Sequence, residues 1–186
     1  DGDLRIPVDA DYLWYVGKSG SSYVVVAGEE DASHSRIVRV APDGTVTRLA
    51  RSYGSTHLAD DGQRLVTTRD RRDQTSTITV RSASTGAPIA KRTFRGYVEA
   101  LDVDGDRVLI GGKRTILWHT DVDTHDVLSG DRGYDGDLSA DVVAGFDPST
   151  DTAEGACTRI MRVRTGKVVT TMCDDLVLEF NADATL

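Results

Sequence analysis

Apolar positions along this chain alternate with polar ones in short runs, without the three-and-four spacing of an amphipathic helix. The runs "SYVVVAG" (22–28), "QRLVTTR" (63–69), "STITVRS" (76–82) and "DRVLIGG" (106–112) are rich in Val, Ile, Thr and Leu and are punctuated by Asp, Gly and Ser. No segment keeps an i, i+3, i+4, i+7 apolar pattern beyond about two turns, so the chain is expected to be nearly all β.

Turn signals recur evenly. "APDGTV" carries Gly44, "ASTGAP" carries Gly86 and "VRTGKV" carries Gly166; the steps are 42 residues and 80, or twice 40. The missing middle turn falls in "DVDTHDV", near Thr124, where a tight turn needs no glycine. A period near 40 marks a repeat built from one small β unit, as in propeller blades. Each period divides into four short strands, giving blades at approximately 9–52, 53–95, 96–132 and 133–174, with residues 175–186 reading as the start of a fifth. The predicted fold class is therefore all-β, a β-propeller of four-stranded antiparallel blades. Four blades and a part do not close a ring by ordinary strand exchange. The chain is read as one propeller domain or, preferably, a fragment of a larger propeller, the alternatives being an unusual closure or a second copy that covers the open faces. Two polar stretches, "GEEDASHS" (28–35) and "DPSTDTAEGA" (147–156), fall between second and third strands and are expected as insertions on the rim or faces.

Composition narrows the function. A hydrophobic fraction of 39% and a charged fraction of 28% place the chain among globular proteins. The net charge of −8 opposes phosphate backbones and anionic lipids, which argues against nucleic acid as a partner. Apolar runs such as "YVVVA" (23–27) fall far short of the ~20 residues of a membrane-crossing helix. The chain opens at Asp1 without a basic-then-apolar leader, so any targeting segment is expected to have been cleaved or to lie outside this sequence.

The only cysteines, Cys157 and Cys173, bracket one predicted hairpin. With a three-residue turn at Arg164, Thr165 and Gly166, paired residues sum to 330: Met161 faces Val169, Arg159 faces Thr171 and Cys157 faces Cys173. Directly opposed residues at a non-hydrogen-bonded site have Cα atoms about 4.5 Å apart, within disulfide range. A Cys157–Cys173 disulfide is expected, with two free core thiols as the alternative; a zinc site lacks a CxxC and a histidine in the hairpin. The bridge would imply an oxidising compartment, extracellular or in the cell envelope.

The runs "DGDLRIPV", "SSYVVVAG", "VAPDGTVTRL", "LADDGQRLV", "LDVDGDRVLIG" and "TILWHTDV", then the "C...TGKVV...C" hairpin and "LEFNADATL", follow one another in order over nearly the whole chain. In this it resembles the secreted or membrane-tethered WD-repeat and TolB-like propeller proteins of actinobacteria. The resemblance implies an exported propeller of six or seven blades, with paired cysteines joining the outer strands of one blade. It supplies no catalytic motif. The Gly-His and Trp-Asp dipeptides of true WD repeats are absent, and "LWHT" (117–120) has His119 where an aspartate would stand, so the usual Asp-His-Ser/Thr-Trp network is not expected.

Candidate chemistry is sparse. Ser55, His57, Glu99 and Asp137 fall on or beside predicted innermost strands and are the channel-facing candidates. Ser55 and His57 suggest a hydrolytic pair, but no GxSxG elbow accompanies them, and a structural histidine is the preferred reading. "DVDGD" (102–106) offers Asp102, Asp104 and Asp106 as calcium ligands, yet position 113, where an EF-hand has Glu, is Lys; an Asp-Gly hairpin turn is preferred. His119 and His125, with Asp121, Asp123 and Asp126, form a weak metal candidate at an acidic turn. Trp14 and Trp118 are both expected to fill contacts between blades, and "TRDRRD" (68–73) to be a solvated loop.

The expected function is a non-enzymatic exported module that binds a protein, peptide or glycan through its face loops, without a cofactor. A hydrolase or lyase with a polar site at the channel, and the sensor domain of a membrane-anchored protein, are the alternatives.

Overall fold

The computed structural model describes residues 6, 8–29, 34–128, 135–139, 141–152, 155–165 and 167–173. Sixteen strands and no helix make up the regular structure of these residues, and they form four antiparallel four-stranded sheets, each a simple meander. The first holds β1 (Tyr12–Ser19), β2 (Ser22–Gly28), β3 (Ser35–Val40) and β4 (Val46–Ser52). The second holds β5 (Thr56–Leu58), β6 (Arg64–Asp70), β7 (Thr75–Ser82) and β8 (Pro88–Arg95). The third holds β9 (Glu99–Asp104), β10 (Arg107–Gly111), β11 (Ile116–His119) and β12 (Thr124–Val127). The fourth holds β13 (Asp135–Ser139), β14 (Val142–Thr152), β15 (Gly155–Arg162) and β16 (Val168–Cys173).

The third-to-fourth strand turns show why the forty-residue period is visible. In the first two sheets a residue with left-handed backbone makes the turn, Gly44 (φ 83°) and Gly86 (φ 73°), while Gly166 of the fourth lies outside the described residues. In the third sheet Asp123 takes that role at φ 50°, a conformation aspartate tolerates better than most residues, so the repeat survives without glycine. Gly86 is also constrained by packing: a Cβ there would lie 2.1 Å from the Leu49 carbonyl oxygen of the first sheet.

The first strands meet in succession, β1 with β5, β5 with β9 and β9 with β13, while the fourth strands β8, β12 and β16 are largely exposed. The sheets thus stack face to face with their first strands innermost, and the core is divided among the seams. Between the second and third sheets lie Val66, Ile78, Val80, Val103, Val108, Ile110 and Trp118, all but solvent-free. Val24, Ile37 and Leu49 meet Leu65 and Ala83 between the first and second. Leu109 and Leu117 meet Leu138 and Val143 between the third and fourth.

The Cys157–Cys173 disulfide is present, with the two Cα atoms 4.1 Å apart, and it joins the two outer strands of the fourth sheet. The register Cys157↔Cys173, Thr158↔Met172, Arg159↔Thr171 and Ile160↔Thr170 is the expected one. Beyond it a bulge intervenes, and Met161 pairs with Val168 instead of Val169. On the chain-entropy view a bridge over a loop of this length stabilises by about 3 kcal/mol.

One further expectation changes. The polar stretch 147–156 is not a loop insertion: β14 runs on to Thr152 and β15 starts at Gly155, with an irregular register between Asp147 and Thr152. Main-chain pairing needs no apolar side chains, so a polar sequence can continue the hairpin. Of the other stretch, residues 30–33 lie outside the described residues, as does the partial fifth unit at 175–186.

Candidate functional site

A groove of about 530 Å³ opens where the first sheet meets the second, beside the starts of β1, β5 and β9. Its lining comes largely from the link between β4 and β5, residues 52–57, whose path is fixed by short polar contacts. The Ser52 hydroxyl donates to the Gly54 carbonyl at 2.8 Å and shares a 2.8 Å hydrogen bond with Thr56 Oγ1. Ser55 Oγ donates to Thr68 Oγ1 at 3.0 Å, and that oxygen accepts the Ala100 N–H at 2.9 Å, which ties the link to β6 and to the third sheet. Such side-chain bonds compensate backbone groups that leave the strand ladder.

Aromatic rings make up much of the rest of the lining. Trp14 and Tyr12 come from β1, and Tyr12 OH is 2.7 Å from Ser35 Oγ. His34 and Tyr53 face each other with ring centroids 5.4 Å apart. Trp14 is 71% exposed, which corrects the expectation that both tryptophans fill contacts between sheets. Trp118 does so at 1% exposure, with its indole N–H donated to Asp123 Oδ1 at 3.0 Å. The two differ because Trp118 is in the third strand of its sheet, between two neighbours, whereas Trp14 is in a first strand at the rim of the groove.

Three of the four channel-facing candidates, Ser55, His57 and Glu99, line this groove. Their bonding is not that of a nucleophile and its base: the Ser55 proton goes to Thr68, and the half-buried His57 ring engages the Ala100 backbone. Desolvation holds the His57 pKa below its ordinary value, against the opposing pull of that bond and of the Asp137 charge.

Asp137, the fourth candidate, does not line the groove and bonds to Asp102, which the sequence offers as a calcium ligand. Asp102 Oδ1 accepts the Val103 N–H at 2.7 Å and Oδ2 accepts the Leu138 N–H at 2.8 Å, which joins β9 to β13. Burial first, and the Asp137 carboxyl second, push Asp102 up to about 9, so the two carboxyls hold a proton between them at neutral pH.

The remaining metal candidates are dispersed. Asp104 is ion-paired to Arg107, and Asp106 gives its carbonyl to Thr120 N and Oγ1 at the Asp-Gly turn, where Gly105 has φ 55°. His119 Nε2 is 3.0 Å from Asp126 Oδ2, and His125 pairs with Trp118 across the ladder from exposed β12. Among the described residues no three His, Cys, Asp or Glu side chains gather as a metal site requires. Among them, too, no helix is long and apolar enough to cross a membrane.

No known protein family and no curated protein matches the sequence. Solved structures match the fold. The chain is similar to TolB of Acinetobacter baumannii, with a TM-score of 0.60 at 14% identity over 85% of this chain and 43% of TolB. It is similar to the β-propeller domain of the Trilobed protease of Pyrococcus furiosus, described as having an open velcro topology, with 0.59 at 10% identity over 80% of this chain and 52% of that one. An uncharacterized protein of Listeria monocytogenes gives 0.54 at 6% identity over 89% of this chain and 67% of its own. The fold is that of a β-propeller. The chain spans about half the length of the TolB and protease-domain structures.

Proposed function

We propose that the chain is a non-enzymatic β-propeller module of an exported protein, which binds an extended peptide segment of a partner in the groove beside β1 and β5. The observation that carries this reading is the aromatic lining: Tyr12, Trp14, His34 and Tyr53 around a preformed groove, with Trp14 exposed over most of its surface. Exposed aromatics on rigid elements bind at low entropic cost and are enriched at the centres of interfaces. Structural neighbours come from protein assemblies, a nidogen–laminin complex and a mitotic checkpoint complex, each with a TM-score of 0.54, and this favours a protein ligand over a glycan. Export is supported by the disulfide, which persists in oxidising compartments, and by the sequence resemblance to exported actinobacterial WD-repeat and TolB-like proteins.

The enzymatic alternative draws on Ser55, His57 and Glu99 sharing the groove. The engagement of Ser55 with Thr68 and of His57 with Ala100 weighs against it. Selection from a displayed peptide library, with a glycan array in parallel, tests the reading. Peptides that bind the chain and lose at least about tenfold in affinity with Trp14→Ala are expected, a drop typical of a truncated aromatic anchor. Binding of glycans alone, or peptide binding indifferent to Trp14→Ala, contradicts it.

A further inference from the structure

A second cleft, of about 270 Å³, lies on the side of the second sheet that faces the first, and its chemistry is unlike that of the groove. It is rimmed by Arg51, Arg69, Arg71, Arg81 and Lys91 and floored by the buried hydroxyls of Thr67, Thr77 and Thr79. In a chain of net charge −8, five of the 22 basic residues face one cleft, and no carboxylate lines it. Strand alternation explains the placement. Leu65, Thr67 and Arg69 share one face of β6, opposite Arg81, Thr79 and Thr77 of β7, and Thr79 is opposite Lys91 of β8. Arg51 enters from the last strand of the first sheet.

The cations have few partners of their own. Among the described residues none of the five forms a salt bridge, whereas Arg36, Arg92, Arg107, Arg162 and Arg164 all do. Arg81 gives one guanidinium N–H to the Gly86 carbonyl at 3.1 Å, while its Nε is buried without a hydrogen-bond partner. Arg69 stacks on the Tyr53 ring, 4.3 Å from its centroid. The Tyr53 phenol is itself held below its ordinary pKa, by a hydrogen bond from Arg51 and then by the charges of Arg69, Arg51 and Arg48. Unpaired like charges held this close repel one another, and an anion between them removes that cost.

We infer that this cleft binds a compact anion carrying two or more phosphate or sulfate groups, with the Arg51, Arg69, Arg71, Arg81 and Lys91 side chains as its counter-charges. Guanidinium groups meet tetrahedral oxyanions through paired N–H bonds, while on the floor the Thr67 hydroxyl donates to the Thr79 carbonyl and Thr77 shares a hydrogen bond with Thr93. Pockets for drug-sized ligands measure about 300–1,000 Å³, so the cleft suits something smaller. The acidic remainder of the surface turns away a long polyanion. The "TRDRRD" run, expected as a solvated loop, thus contributes Arg69 and Arg71 to a shaped site.

Calorimetric titration of the chain with pyrophosphate, and separately with a disulfated disaccharide, at fixed ionic strength tests the inference. Saturable one-to-one binding of at least one probe is expected, and the arm that binds distinguishes a phosphate-bearing ligand from a sulfate-bearing one. The double variant Arg69→Gln, Lys91→Gln is expected to weaken it by about tenfold or more, each lost charge-assisted bond contributing severalfold. The charge-keeping pair Arg69→Lys, Lys91→Arg retains most of the affinity, which separates loss of charge from loss of fold. Arg164→Gln, Lys167→Gln, equal in charge change but in the fourth sheet, has no such effect. Failure of both probes to bind, or equal weakening by the two neutral pairs, overturns the inference.

Discussion

The seam between the second and third sheets and the seam between the first and second are made by the two faces of the same strands, yet they are built oppositely. On one face of β6 and β7, Val66, Ile78 and Val80 close against Val103, Val108, Ile110 and Trp118, and Phe94 meets Trp118 edge to face with centroids 6.3 Å apart. On the other face only Leu65 and the adjoining Ala83 pack against the first sheet; beyond them Thr67, Thr79, Arg69 and Arg81 take over. A dry seam gains free energy from every apolar group it covers, about 25 cal/mol per Å². A polar seam gains less and leaves room for ligands. The groove and the cleft both open along it, with Tyr53 lining each.

The largest expected effect falls on the dry seam. Trp118→Ala removes a side chain that is 1% exposed and its hydrogen bond to Asp123, so a loss of about 3–5 kcal/mol is expected in urea unfolding. Trp14→Ala, at the polar seam, is expected to change stability by no more than about 0.5 kcal/mol while weakening peptide binding by about tenfold or more. Equal losses for the two tryptophans would erase the contrast.

Gly86→Ala sharpens it from the other side. The new Cβ needs a left-handed backbone and collides with the Leu49 carbonyl, so sheets one and two must separate locally. A cost of about 1–3 kcal/mol is expected, while the same change at Gly44, whose Cβ position is open, costs only about 1 kcal/mol of backbone strain.

A smaller, graded effect comes from the carboxyl pair at the seam between the third and fourth sheets. The folded chain keeps the Asp102 proton up to about 9, whereas the unfolded chain releases it near the ordinary 3.8. The Asp102 contribution is therefore greatest in acid and declines as pH rises towards about 9. His57, lowered from 6.5, acts oppositely and only in acid, where the unfolded chain gains a proton that the folded one refuses. From about pH 7 to about pH 9 the Asp102 proton is lost, so stability is expected to fall there, with the lowered Tyr53 phenol acting oppositely as it ionises, and Asp102→Asn is expected to flatten that fall. An unchanged slope in the variant would remove the dyad from the account.

The strand pattern made the fold legible because the first three units repeat a turn with a left-handed residue, visible in two of them as Gly44 and Gly86, and because the Cys157 and Cys173 register follows from simple opposition. The site was less so. Ser55, His57 and Glu99 were found by their place at the starts of inner strands, but Trp14 was assigned to packing because its neighbours Leu13 and Tyr15 are apolar, and all three are exposed. The cleft was missed for a related reason. Thr67, Arg69, Thr79 and Arg81 alternate with Val66, Val80 and Ile78 as on any sheet with one wet face. In a stack of sheets an inner member has no solvent face, so polar alternation there is itself the signal of a seam that is not closed.

The two tryptophans provide an internal control for the central claim, that ligand is received at the polar seam. In a nitrogen-15 NMR titration of the chain with a selected peptide, the indole N–H signal of Trp14 is expected to shift with saturation and that of Trp118 to stay in place. Movement of the Trp118 signal alone, or saturable binding that leaves the Trp14 signal unmoved, would contradict the account.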